Sequence, residues 1–355
     1  MIAKSKARRL SKILAAASTA ALLCGFQATQ NSRPSLSDAA MAVTNPEAPP
    51  VKLPANVLEA ASVYIAYIDR AAGISPAFTD GPSVQDSLRR AEAIETKQMA
   101  RGMTAYAAIV ALQEPTFVAS VRKFGADPVQ RGQVAQALLA DPRYATAFPG
   151  ADRAAGLIVA ALTDQGQRVE DTGKRVKQAA YDVQHQSWSK GVVSDRDGRL
   201  ALAKSLSETQ LTADADAESR MQQAATGATP LLVSGAADAG PYTPTIERAL
   251  AVAAMAALGD GGEDFSEPLN ALLTVPEQSD CLHDAKLDLY ECLAVAKPHY
   301  EDVFCLGQHV LADAGACIIK SVTPYVAPPP VLIKATDTKP APVKSRARKK
   351  KVVKH

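Results

Sequence analysis

The chain has 355 residues, of which 47% are hydrophobic and only 5% aromatic, and its formal net charge is +2. Few segments alternate apolar and polar residues in the way that strands do, and alanine is abundant, so the composition argues against a sheet protein and predicts an all-α fold. Roughly 270 residues are expected to be ordered, which is enough for one large core or two smaller ones.

The N-terminus has the pattern of a secretory signal. Five basic residues precede an uncharged run over 13–26 that is rich in Ala and Leu, an order typical of a signal peptide and short for a transmembrane span. We expect a signal peptide over 1–28, with cleavage near Ala28 or at the Ala-Met-Ala sequence of 40–42. The alternative is an uncleaved membrane anchor. Lipidation of Cys24 is not expected, because Leu23 stands where a lipobox needs a small residue.

Four segments lie between the leader and the C-terminal tail. Residues 29–54 are rich in Ser, Asn, Pro and Ala and predict a disordered linker. Helical periodicity predicts a helical bundle over 55–225, followed by a Gly/Pro-rich linker over 226–243. A second helical region that contains four cysteines is expected over 244–322.

Three long helices are expected within the bundle. The first covers 83–112 and opens with Ser83 and Asp86 as a capping pair; another covers 196–225. The third, over 151–190, carries four apolar residues spaced by seven. This heptad pattern predicts either coiled-coil packing against the 83–112 helix or an ordinary bundle helix. The four residues are Leu162, Val169, Val176 and Val183.

The stretch from Cys281 to Cys317 predicts a helical hairpin, because apolar residues recur at helical spacing on both sides of Lys297-Pro298. Pairing the two cysteines of one helix fails, since residues eleven apart are separated by roughly 16 Å and a disulfide needs Cα atoms within about 7 Å. In an antiparallel pair of helices, the residue numbers of two facing residues add up to a nearly constant value, the index sum. Cys292 with Cys305 gives 597 and Cys281 with Cys317 gives 598, so we predict these two nested disulfides.

The four-cysteine pattern resembles the twin-cysteine helical hairpins of the coiled-coil-helix type. The gaps between the cysteines of each helix are ten and eleven residues here, which is wider than in that family. The resemblance covers only the hairpin and implies shared geometry.

A metal site is the alternative use of the same hairpin. Asp288 lies four residues before Cys292, and His309 lies four after Cys305, so the four side chains could form a mixed zinc site. No metal is predicted by the favoured interpretation, in which Asp288 and His309 form a partly buried ion pair. The choice depends on the compartment, because disulfides persist in oxidising spaces.

No catalytic residue and no cofactor is predicted. The chain contains no P-loop, no H-E-x-x-H, no G-x-S-x-G and no dinucleotide-binding glycine motif after a strand. Glu92 and Glu95 are interpreted as a solvated helix face, and 194–200 as a turn that caps the next helix. His185 is interpreted as a histidine whose ring nitrogens have hydrogen-bond partners, and Trp188 as a tryptophan at the edge of the core.

The C-terminus is strongly basic. Residues 331–355 carry nine basic side chains and one acid, and the leader carries five basic side chains and no acid. Subtracting +8 and +5 from the total of +2 leaves −11 for the rest of the chain. Residues 323–355 are therefore expected to be a proline-rich, disordered tail that binds anionic surfaces. The residues expected to bind are Arg346, Arg348, Lys349, Lys350, Lys351 and Lys354.

Three function classes fit these patterns. The favoured one is an exported, periplasmic or envelope-associated scaffold, whose body binds a protein partner and whose tail contacts an anionic envelope polymer or lipid. The second is an envelope enzyme with a site assembled from scattered residues. The third is a nucleic-acid-binding protein that uses the basic tail, which requires the signal interpretation to be wrong.

Overall fold

A computed structural model describes residues 48–213 and 215–324. The described part is built from α-helices with short 3₁₀ and π segments, and it contains no β-strand, only an isolated bridge between Val192 and Pro298. The all-α prediction is therefore confirmed. The helices are α1 Ala55–Ala72, α2 Gly81–Glu92, α3 Thr96–Ala111, α4 Pro115–Arg122, α5 Pro128–Ala140, α6 Ala151–Val183, α7 Arg196–Ser207, α8 Ala215–Thr226, α9 Pro244–Leu258, α10 Ser266–Leu272, α11 Pro276–Val295, α12 His299–Cys305 and α13 Asp313–Val322.

Helix starts follow local capping chemistry. α2 begins after Asp80, whose carboxylate accepts from the Ser83 backbone N–H, while the Ser83 side chain accepts from the Asp80 N–H. The predicted capping pair of Ser83 with Asp86 is therefore wrong. The pair is Asp80 with Ser83, which lies one turn earlier. α3 begins after Glu95, which accepts from the backbone N–H groups of Lys97 and Gln98. Because Glu95 caps a new helix, the predicted continuous helix over 83–112 is in fact two helices.

The core is centred on α3 and α9. Both are Ala-rich, and in α9 the whole run from 249 to 258 is buried. Small side chains allow these helices to pack closely in the middle of the body, with α1 and α6 against α3. Apolar residues from both sides of the 226–243 segment contribute to this one core.

Two further boundaries differ from the sequence expectations. The helix expected over 196–225 is divided into α7 and α8, and the helix expected over 151–190 ends at Val183. α6 packs mainly on the second helix of the hairpin rather than on the 96–111 helix. Its heptad residues are buried, but coiled-coil packing against the earlier helix is not the main contact.

Glycine makes the contact between α6 and the hairpin unusually close. A Cβ added at Gly173 would lie 2.6 Å from the Gly307 carbonyl oxygen, and one added at Gly315 would lie 2.6 Å from the Gly166 oxygen. These distances are far below ordinary contact, so the two backbones touch where side chains would normally separate them. The surface of α6 is thus shaped to hold the cysteine hairpin.

Candidate functional site

The candidate site is the four-cysteine hairpin with the side chains that surround it. Its first helix is α11, and its second is a continuous helical run over 299–322 made of α12, a π segment Leu306–Ala312 and α13. An outer bridge joins Cys281 to Cys317, and an inner bridge joins Cys292 to Cys305, each with a Cα–Cα distance of 5.8 Å. The nested pairing is the one that the index sums predict.

The π segment explains how unequal cysteine spacings fit one hairpin. Cys292 lies eleven positions after Cys281, and at 100° per residue the two differ by about 20° around the helix. Cys317 lies twelve positions after Cys305, which would place the two about 120° apart in a regular α-helix. A π turn absorbs roughly one extra residue. The segment between them therefore returns Cys317 to the face that carries Cys305.

The second helix also has the length and composition of a membrane span, but most of its apolar stretch is buried inside the body. Its apolar face packs on α6 and α11. Burial against these helices accounts for its apolar character.

Two arginines of α7 hold the turn of the hairpin. Arg196 donates to the carbonyls of Ala294 and Ala296, at 2.7 and 2.8 Å. Arg199 donates to the Leu293 carbonyl and to the carboxylate of Asp302. These carbonyls end α11 and lack helical partners, so the arginines satisfy the exposed end of the helix.

The Arg199–Asp302 pair is fully enclosed. The exposed fraction of the side chain is 3% for Arg199 and 0% for Asp302. Burial raises the pKa of Asp302, which the hydrogen bonds from Arg199 and Gln85 oppose. A buried pair of this kind costs desolvation and is best understood as fixing one arrangement of the turn.

A second buried acid lies beside it. Glu92 is 1% exposed and receives a salt bridge from Lys286 of α11 at 3.0 Å, together with a hydrogen bond from Ser207. Burial raises the pKa of Glu92, while Lys286 and Ser207 lower it. The prediction of a solvated face is therefore wrong for Glu92, because α11 and α7 cover it. Glu95 is half-buried and caps α3.

These buried charges leave little room for a substrate. The space lined by Glu92 and Arg199 has a volume of about 10 Å³, which is about one water molecule. Glu92 and Asp302 therefore link α2, α7 and the hairpin through ion pairs and hydrogen bonds, and they do not line a reaction cleft.

An apolar groove opens beside the inner bridge. It has a volume of about 270 Å³ and is lined by Tyr181 of α6, by Val295, and by Tyr300 and Phe304 of α12. The Tyr181 and Phe304 rings meet edge to face at 6.3 Å. Val295 is 73% exposed and Tyr181 is 46% exposed, so the groove presents large apolar side chains to solvent.

A cluster of possible metal ligands lies on the hairpin between the two bridges. Asp288, His309 and Asp313 each place one ligand atom within 4.8 Å of the others. His309 Nδ1 lies 2.9 Å from Asp313 Oδ2, whereas Asp288 is exposed. The predicted Asp288–His309 ion pair is therefore replaced by a pair within one helix. Cys292 and Cys305 are joined to each other and offer no thiolate.

The remaining predicted residues have clear outcomes or fall outside the described part. Asp195 caps α7 through the Gly198 N–H at 2.9 Å, so the predicted capping role of the 194–200 segment is confirmed, although residues 196–200 already belong to α7. Trp188 is half-buried with its ring 6.5 Å from that of His299, whereas His185 is exposed.

The signal peptide over 1–28 and the six basic residues from Arg346 to Lys354 lie outside the described residues. Asp313 was missed by the sequence argument, although it follows His309 by one helical turn. Comparisons with protein-family models, with curated proteins and with solved structures find no match to this chain.

Proposed function

We propose that the protein is exported to an oxidising compartment and acts there as a non-catalytic binding protein of the cell envelope. The observation that carries the proposal is the pair of nested disulfides, because such bonds persist in oxidising spaces and are rare in the cytosol. The basic n-region and apolar run at the N-terminus support the same compartment.

Two surfaces share the binding role in this proposal. The basic tail attracts anionic polymers or lipids, since a run of cations binds anions with little need for shape complementarity. The apolar groove beside the inner bridge receives an aromatic or branched side chain of a protein partner. A groove of about 270 Å³ with aromatic walls suits a single side chain of that kind.

Export is tested with a reporter fused to residues 1–50. A reporter that is active only outside the cytoplasm should be active, and the matching cytoplasmic reporter should be silent. Activity of the cytoplasmic reporter alone would contradict export.

The tail is tested by cosedimentation with envelope material. Deleting 331–355 should release the protein at low salt, and replacing the six basic residues with glutamine should do the same at full tail length. Binding of the complete chain should fall steeply between 0.1 M and 1 M salt, since the Debye length shortens from about 10 Å to about 3 Å. Equal sedimentation of all three proteins would remove the tail from the proposal.

The groove is tested with a photocrosslinking residue placed at Val295 in living cells. Val129 on α5 provides a matched control, because it is 68% exposed and does not line the groove. A discrete adduct from position 295 that is absent from position 129 is expected. Identical adducts from both positions would mean that the groove has no special role.

A further inference from the structure

The clearest set of metal-binding groups in the described part lies between the two bridges. One imidazole nitrogen and two carboxylate oxygens, from His309, Asp288 and Asp313, stand within 4.8 Å of one another. We propose that these three residues bind a divalent transition-metal ion of the zinc class. The proposal does not depend on the proposed function.

The bridges hold the ligands in place before any metal arrives. Asp288 lies one turn before Cys292 on α11, and His309 lies one turn beyond Cys305 on the second helix. The outer bridge ties the same two helices at their other ends. Since the helices are fixed on both sides of the cluster, binding needs only side-chain movement and not assembly of the hairpin.

Outer contacts orient the carboxylate of Asp313. Its Oδ1 atom accepts from Gln308 at 2.8 Å, whereas its Oδ2 atom faces His309 Nδ1, the other proposed ligand on this helix, at 2.9 Å. The Gln308 amide oxygen in turn accepts from Lys177 Nζ of α6 at 2.7 Å. A ligating carboxylate that is itself held by a hydrogen bond, as Asp313 is by Gln308, is typical of metal sites.

The donor set favours zinc over calcium or magnesium. Zinc binds mixed nitrogen and oxygen ligands in a tetrahedral arrangement and accepts three protein ligands with one open position. Calcium and magnesium require about six or more oxygen ligands. Zinc ligands stand about 3.5 Å apart, and the three ligand atoms already lie within 4.8 Å of one another, so side-chain movements of roughly 1 Å are enough to close the site.

A plain ion pair between His309 and Asp313 is the competing explanation. It joins two residues one turn apart on the same helix, and such pairs occur without metal. The two explanations differ in their need for Asp288, which the ion pair does not contact. Asp288 is exposed, so replacing it should leave the fold intact.

The experiment is a calorimetric titration of ZnCl₂ into the tag-free, oxidised full chain after treatment with a chelator. One equivalent bound at micromolar affinity is expected. Asp288→Asn and His309→Ala should each weaken binding at least tenfold. His283→Ala is the matched control, because His283 is an exposed histidine of α11 outside the cluster, and it should bind as the unmodified chain does.

A second readout is the zinc-induced rise in melting temperature. The rise should occur in the unmodified chain and in His283→Ala and should be lost in Asp288→Asn. The proposal is overturned if the unmodified chain binds no zinc, if Asp288→Asn binds as tightly as the unmodified chain, or if His283→Ala loses binding equally.

Discussion

Replacing Gly173 with alanine should destabilise the protein, although alanine is the better helix former. The added Cβ would lie 2.6 Å from the Gly307 oxygen and 2.8 Å from the Ala312 Cα. Both are backbone atoms of the π segment, which cannot rotate away as a side chain can. Because carbon contacts are normally about 3.5–4.0 Å, α6 and the hairpin would have to separate by roughly 1 Å.

The expected magnitude follows from two opposing effects. Alanine recovers about 1 kcal/mol of helix propensity, whereas overpacking a tight contact costs about 1–3 kcal/mol and occasionally more. The hairpin is tied by two bridges and yields little. We therefore expect the cost to reach or exceed the upper end of that range, which leaves a net loss of about 2 kcal/mol in the free energy of unfolding.

Gly132→Ala is the matched control. Gly132 lies on the exposed face of α5, and a Cβ added there meets no atom within 4 Å. This substitution should raise the free energy of unfolding by about 0.5–1 kcal/mol. Urea unfolding of the oxidised proteins, followed by circular dichroism, measures both changes. If Gly173→Ala is as stable as the unmodified chain while Gly132→Ala is stabilised, the two backbones do not touch as described.

Three further predictions concern the hairpin and its buried charges. Replacing both cysteines of the outer bridge with alanine should cost about 3.8 kcal/mol, and doing so for the inner bridge about 2.9 kcal/mol, because they close 36 and 13 residues; urea unfolding that reverses this order would contradict the loop argument. Arg199→Ala leaves the Asp302 carboxylate buried without a cation and should cost about 3–5 kcal/mol, whereas a loss below 1 kcal/mol in the same assay would show that the pair is not enclosed. Glu92→Gln tests the raised pKa of Glu92. A folded state that binds the proton more tightly than the unfolded state loses stability as pH rises from the ordinary value of 4.5. The stability of the unmodified chain relative to Glu92→Gln should therefore be greater at pH 4 than at pH 7, and a difference that is constant with pH would contradict the raised pKa.

The sequence predicts the hairpin well because its register is overdetermined. The nested cysteine pairs and the apolar periodicity point to the same antiparallel arrangement, so local and long-range signals agree. The π segment was also within reach of the sequence. A spacing of twelve residues between Cys305 and Cys317 is out of phase with a regular α-helix, which indicates an inserted residue.

Tertiary contacts decided what the sequence could not show. Glu92 stands among charged neighbours in the sequence, and only the packing of α7 and α11 over α2 buries it. Glu95 caps α3, but glutamate is a good helix former and is not a typical cap residue, so the sequence carries no sign of a helix end there. Likewise, Asp313 becomes notable only because the bridges bring Asp288 opposite His309.

The most direct test of the account is peptide mapping, without reduction, of the protein isolated from its own cells by fractionation. We expect the extracytoplasmic fraction to contain the protein with both links, Cys281 to Cys317 and Cys292 to Cys305. Protein found in the cytoplasm with these four cysteines reduced would contradict export to an oxidising compartment.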